Sequence, residues 1–149
     1  MRVALLAAAA AAVILTLTAC GDEVERSTVD VNLAEWEVVP DVESVAEGEV
    51  TFNADNKGEQ EHELVIVRTD FAADDLPTKE DGSLDEGATG VDVIGETDEI
   101  DSGDSDSRVF TLDPGKYVLL CNLVHEEHEE KEVHYQLGMR AAFELTAKD

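Results

Sequence analysis

His62 to Arg68 reads HELVIVR, a near-continuous apolar run of strand length, and it predicts a central β-strand. Other short runs share its character. Thr28 to Val39, TVDVNLAEWEVV, alternates apolar and polar residues at Val29, Val31 and Leu33, then shifts register near Ala34 to Trp36. That pattern predicts one strand with a bulge. Glu49 to Asn53 follows Gly48 and precedes the turn-forming Asp55-Asn56-Lys57-Gly58, and VDVIGE and SRVFTL are further strands. Asp113-Pro114-Gly115 turns the chain into Lys116 to Cys121, KYVLLC, and Arg140 to Thr146 is the last strand. About seven strands with turns between them make the protein all-β, a sandwich or a barrel. Trp36, Phe52, Tyr117 and Phe143 are assigned to its core. Residues 70–90 interrupt the pattern with Pro77, Gly82, Gly87, Gly90 and many acids, and predict a long surface excursion with one helical turn at most.

The N-terminus sets the compartment. Met1 to Ala19 is one arginine followed by an apolar run shorter and richer in alanine than a dedicated membrane span, which reads as a signal peptide. Leu17-Thr18-Ala19-Cys20 resembles the lipobox of bacterial lipoproteins. The resemblance implies cleavage before Cys20, lipid on its thiol, residues 20–27 as a tether, and a domain over 28–149 held at the outer face of the cytoplasmic membrane. Cys121 is then left without a disulfide partner in a compartment where pairing is usual. It is either a small buried hydrophobe or a chemically used thiol.

Ten basic residues against 36 acidic ones give a net charge of −26. A surface of that sign repels nucleic acid and anionic membrane and steers basic partners toward it. The acids are spread along the chain, which also suits general solvation in a high-salt habitat. A single domain with one core is expected, as a monomer.

The chemistry gathers near the C-terminus, in CNLVHEEHEEKEVHYQLGMR from Cys121 to Arg140. A thiolate at the end of an apolar strand, with an imidazole and a thioether (His134 and Met139) in the connection that follows, favours copper over magnesium or calcium. Two histidines and a cysteine with a long axial methionine form the blue-copper arrangement, and His62 supplies the further histidine from a strand end. The segments GEVTFNADNKGEQEHELVIV, LDPGKYVLLCNL and HYQLGMRAAFEL together resemble the cupredoxins, the superfamily of plastocyanin and azurin. The resemblance covers about Val29 to Thr146. It implies a Greek-key β-sandwich of seven to eight strands and one type 1 copper held by His62, Cys121, His134 and Met139.

One departure stands out. Twelve residues, 122–133, separate Cys121 from His134, where relatives have a few, so 124–133 reads as an insert in the copper loop. His125 is the rival second histidine by its short spacing from Cys121. Tyr135-Gln136-Leu137-Gly138-Met139, which follows His134 in the family pattern, favours His134. The insert is expected as a charged solvated loop or helical turn. Alternatively His125 and His128, three apart on a helix, bind a second metal with Glu129, or the long loop loosens the site. The function that follows is a one-electron carrier, with copper binding and delivery as the alternative. An enzyme is disfavoured, since one domain with one copper has no separate substrate site, and the second cysteine of a dinuclear copper loop is missing.

Overall fold

The computed structural model describes residues 26–127 and 130–148; the leader, Cys20 and its expected lipid, and His128 lie outside them. Along the chain run β1 (Arg26–Ala34), β2 (Glu37–Pro40), β3 (Ser44–Ala46), β4 (Gly48–Asn56), β5 (Val65–Arg68) and β6 (Asp92–Glu96). There follow β7 (Ser105–Leu112), β8 (Gly115–Leu120), β9 (Val124–Glu127), β10 (Glu130–Val133), the single helical turn α1 (His134–Leu137) and β11 (Arg140–Thr146). A four-stranded sheet in the order β2-β1-β4-β7 faces a five-stranded sheet in the order β3-β11-β8-β5-β6. The chain crosses repeatedly between the two, as a sandwich with non-local connections requires.

Alternation decides which side chains enter the sandwich. Val29, Val31 and Leu33 of β1 and Val50, Phe52 and Ala54 of β4 are fully buried, and they meet Leu64, Ile66, Tyr117, Leu119, Phe143 and Leu145 from the opposite sheet. Phe52, Tyr117 and Phe143 occupy the core as expected, and Trp36 is only half-buried at its margin. β1 and β4 run parallel in register from Arg26↔Glu49 to Leu33↔Asn56.

The expected bulged strand over Thr28 to Val39 is instead a hairpin. β1 and β2 pair antiparallel from Ala34↔Glu37 to Val31↔Pro40, with Glu35 and Trp36 at the tip. The shift in apolar phase is a reversal of the chain, which brings Val38 back into the same core.

HELVIVR has two buried faces, and this gives the 70–90 excursion its task. Ile66 points into the sandwich, whereas Val65 and Val67, with Val118 and Leu120 of β8, form a second cluster on the outer face of the five-stranded sheet. Leu76 and Leu84 of the excursion cover that cluster together with Tyr135. The Tyr135 hydroxyl accepts the Leu76 N–H at 3.0 Å and donates to the Ala73 carbonyl at 3.0 Å. The excursion has no helical turn. It is a cover held by two leucines and a tyrosine.

The described residues of the insert, 124–127 and 130–133, are likewise neither loop nor helix. β9 and β10 form an antiparallel hairpin, paired from Val124↔Val133 to Glu127↔Glu130. His125 therefore sits on a strand, and the second metal site expected with His128 and Glu129 lies outside the described residues.

Candidate metal centre

Period two along β8 delivers Cys121. Tyr117 and Leu119 point into the sandwich core, so the residue two further on does too, and Cys121 is completely buried. His62 precedes β5 and is fixed by a two-bond bridge to Ile100: its N–H donates to the Ile100 carbonyl at 3.2 Å and its carbonyl accepts the Ile100 N–H at 2.7 Å. Asn56 stiffens the same corner, donating through its amide to the Gln60 and Ile100 carbonyls at 2.7 and 2.8 Å.

The third segment folds over itself. The Met139 N–H donates to the His134 carbonyl at 3.0 Å, and the Cys121 N–H to the Met139 carbonyl at 3.1 Å. Gly138 allows this turn with a φ of 130°, and a β-carbon there would lie 2.9 Å from the Trp36 carbonyl oxygen. The His134 N–H donates to the Leu123 carbonyl at 3.0 Å, which closes the inserted hairpin at its base. The insert is thus pinched off from the segment it interrupts.

Three donor atoms converge. His134 Nδ1 lies 3.2 Å from His62 Nδ1 and 3.3 Å from Cys121 Sγ, and all three lie within 4.8 Å of one another. Trigonal coordination with metal–nitrogen bonds of about 2.0 Å sets two nitrogens about 3.5 Å apart, so the spacing suits one ion bound by all three. Two imidazoles and a thiol in a dry pocket are a borderline-soft donor set that suits copper or zinc and not the oxygen-seeking ions. His62 and His134 are both 0% exposed. Met139, also 0% exposed, is bonded through its backbone to both Cys121 and His134. His125 remains outside the convergent group, although its ring lies 4.7 Å from that of His134, edge to face.

Burial governs the protonation of the metal-free centre. It pushes the Cys121 thiol up to about 12, although the N–H of Glu63 donates to the sulfur at 3.5 Å. It brings His134 down to about 4, helped by the nearby His125 and His62. His62 is lowered as well, chiefly by burial, with Glu35 working in the opposite direction.

Two neighbours at the tip of the first hairpin were not read as site residues in the sequence. Trp36 meets the His134 ring edge to face at 5.0 Å. Glu35 Oε1 lies 3.0 Å from His62 Nε2. Their only trace in the sequence is that both fall where the alternation breaks.

Glu63 supplies a pH test. Burial, then the charge of Glu96, pushes its carboxyl up to about 7 from a usual 4.5. A folded value above the unfolded one means that the native state binds more protons between those values. Its contribution is therefore intact below about pH 4.5 and lost as the pH rises through 7. Glu63→Gln should leave the urea midpoint of the metal-free protein nearly unchanged at pH 4.5 and raise it at pH 8. Equal effects at both pH values would refute a buried, proton-holding carboxyl.

No protein-family model and no curated protein sequence matches the chain. Solved structures do. Reduced auracyanin from Roseiflexus castenholzii superposes with a TM-score of 0.51 at 20% identity, over 81% of this chain and 96% of the other. Auracyanin B gives 0.50 at 22% identity, over 80% and 88%. Rusticyanin from Thiobacillus ferrooxidans gives 0.50 at 11% identity, over 80% and 76%. These are cupredoxins, and this chain, a two-sheet sandwich with two histidines and a cysteine converging at one end, has the cupredoxin fold.

Proposed function

We propose that the protein is a one-electron carrier with a single type 1 copper that His62, Cys121 and His134 would hold, with Met139 as the fourth ligand. The observation that carries this reading is the convergence of two Nδ1 atoms and one Sγ in a fully buried pocket. Bound there, copper supplies one-electron exchange between its two common oxidation states. The chain holds its donors from three separate segments, each fixed by backbone bonds, so they need little rearrangement. The rings of Trp36 and His125 pack against that of His134, which is fully buried. The similarity to auracyanin and rusticyanin supports the same reading.

Further parts belong to it. Cys20 carries lipid and holds the domain at the outer face of the cytoplasmic membrane, the acidic surface meets a basic redox partner, nucleic acid is not a ligand, and the protein works as a monomer without catalysis of its own. A second reading, copper delivery, draws on His125: its half-buried ring beside His134 offers an imidazole on the outer side of the site.

Loading the domain with Cu(II) tests the first reading. The expected result is an intense visible thiolate-to-copper band, a narrow copper hyperfine splitting, and reversible reduction. Because burial pushes the free thiol up to about 12, it is protonated at pH 7, and loading there should release one Cys121 proton per ion, detectable in weakly buffered solution. A colourless complex that hands Cu(I) to an acceptor would favour delivery.

A further inference from the structure

The two histidines of the centre are held differently. His134 Nε2 is buried with no hydrogen-bond partner among the described residues. His62 Nε2 faces a carboxylate 3.0 Å away. That carboxylate is itself fixed. Glu35 Oε1 accepts the Gln60 N–H at 2.8 Å, and both of its oxygens accept the Glu59 N–H, at 3.0 and 3.1 Å. Gly58 makes the seat, since a β-carbon there would lie 2.5 and 2.7 Å from the two oxygens. Glu35 reaches this place from the tip of the β1–β2 hairpin, across from the loop that carries His62. A carboxylate only accepts, so the proton of His62 belongs on Nε2, and Nδ1 presents its lone pair to Cys121 and His134.

We propose that Glu35 is a positioning residue for the metal centre: it fixes His62 as an Nδ1 ligand and adds a negative charge one imidazole away, favouring the oxidised ion over the reduced one. The second half of this rests on the copper reading above. A carboxylate behind a ligand histidine raises the basicity of that ligand, and loss of such partners costs about 10–100-fold in metal affinity. The charge acts more strongly on Cu(II) than on Cu(I), because one more unit of positive charge sits at the ion. Among the described residues only His62 receives this support, so the centre is electronically lopsided.

The test compares wild type with Glu35→Gln, Glu35→Ala and Gly58→Ala. Nitrogen-15 NMR of the metal-free protein should show His62 as the Nε2–H tautomer. Glu35→Gln should keep that tautomer, since its amide oxygen still accepts, but lower the preference for Cu(II) over Cu(I) by about tenfold. For a one-electron couple that is an increase of about 59 mV in reduction potential. Glu35→Ala should lose both tautomer and preference, and Gly58→Ala, which keeps the carboxylate but displaces it, should move in the same direction. Glu35 also holds two loop amides, so a purely structural role predicts lower stability in all three variants with tautomer and Cu(II)-to-Cu(I) ratio unchanged. That outcome overturns the proposal, as does a wild-type His62 protonated on Nδ1. Should the wild type take up no copper at all, the copper reading fails, while the tautomer still decides whether Glu35 orients His62.

Discussion

Cys121→Ser should yield a folded protein that no longer shows the intense visible band with Cu(II), and His134→Ala should do the same, while His125→Ala should keep it. Sγ of Cys121 and Nδ1 of His134 are 3.3 Å apart in a sealed pocket, so removing either leaves the ion at most one histidine and one other donor of the converging three. The loss of affinity should exceed the roughly 10–100-fold that outer partners cost. His125 contributes a ring edge 4.7 Å from His134 and no donor to the convergent group. Its removal should open the pocket to water without dismantling it. Absorption and EPR spectra of the three variants, with far-UV circular dichroism as the control for folding, check this. A band that survives in His134→Ala and vanishes in His125→Ala would reverse the assignment and make the inserted hairpin a ligand-bearing element.

The second large effect lies in the scaffold. Phe52→Ala should destabilise the metal-free domain by about 3–5 kcal/mol. Phe52 is fully buried on β4 and spans the gap between the sheets, with its ring 5.8 Å from Phe143 edge to face and 6.4 Å from Phe110. Those neighbours belong to β11 and β7, which are tied into backbone ladders and cannot collapse into the space. A melting temperature lower by roughly 10–20 °C is the expected reading. Val109→Ala, on the same sheet but with Val109 57% exposed, is the control and should stay within about 0.5 kcal/mol. Similar losses in both variants would mean that the sheets are not locked together where Phe52 sits.

Much of this molecule was legible before its structure. HELVIVR and KYVLLC announce their strands by composition, and the order of His62, Cys121, His134 and Met139 along the chain carries the resemblance that named the fold. What escaped was decided through space. The reversal at Glu35-Trp36 has no glycine, proline or asparagine to mark it, so a change of phase looked like a bulge. The insert looked like a charged loop because its acids dominate its composition, whereas Val124 opposite Val133 closes a hairpin. The excursion over 70–90 looked solvated because few apolar residues stand among its acids, yet Leu76 and Leu84, with Ala73 beside them, seal the outer sheet face. Glu35 lies 27 residues from His62, and no local pattern links them.

Trp36 has a use that follows from its place. It is the sole tryptophan in the sequence, and its ring stands 5.0 Å from that of His134. Its fluorescence therefore reports on the metal pocket alone, without background from another indole. Cu(II) seated beside His134 should quench that emission, and reduction to Cu(I) should restore part of it. Uptake, redox state and any movement of the hairpin tip can then be followed in the unmodified protein at low concentration, with no label attached.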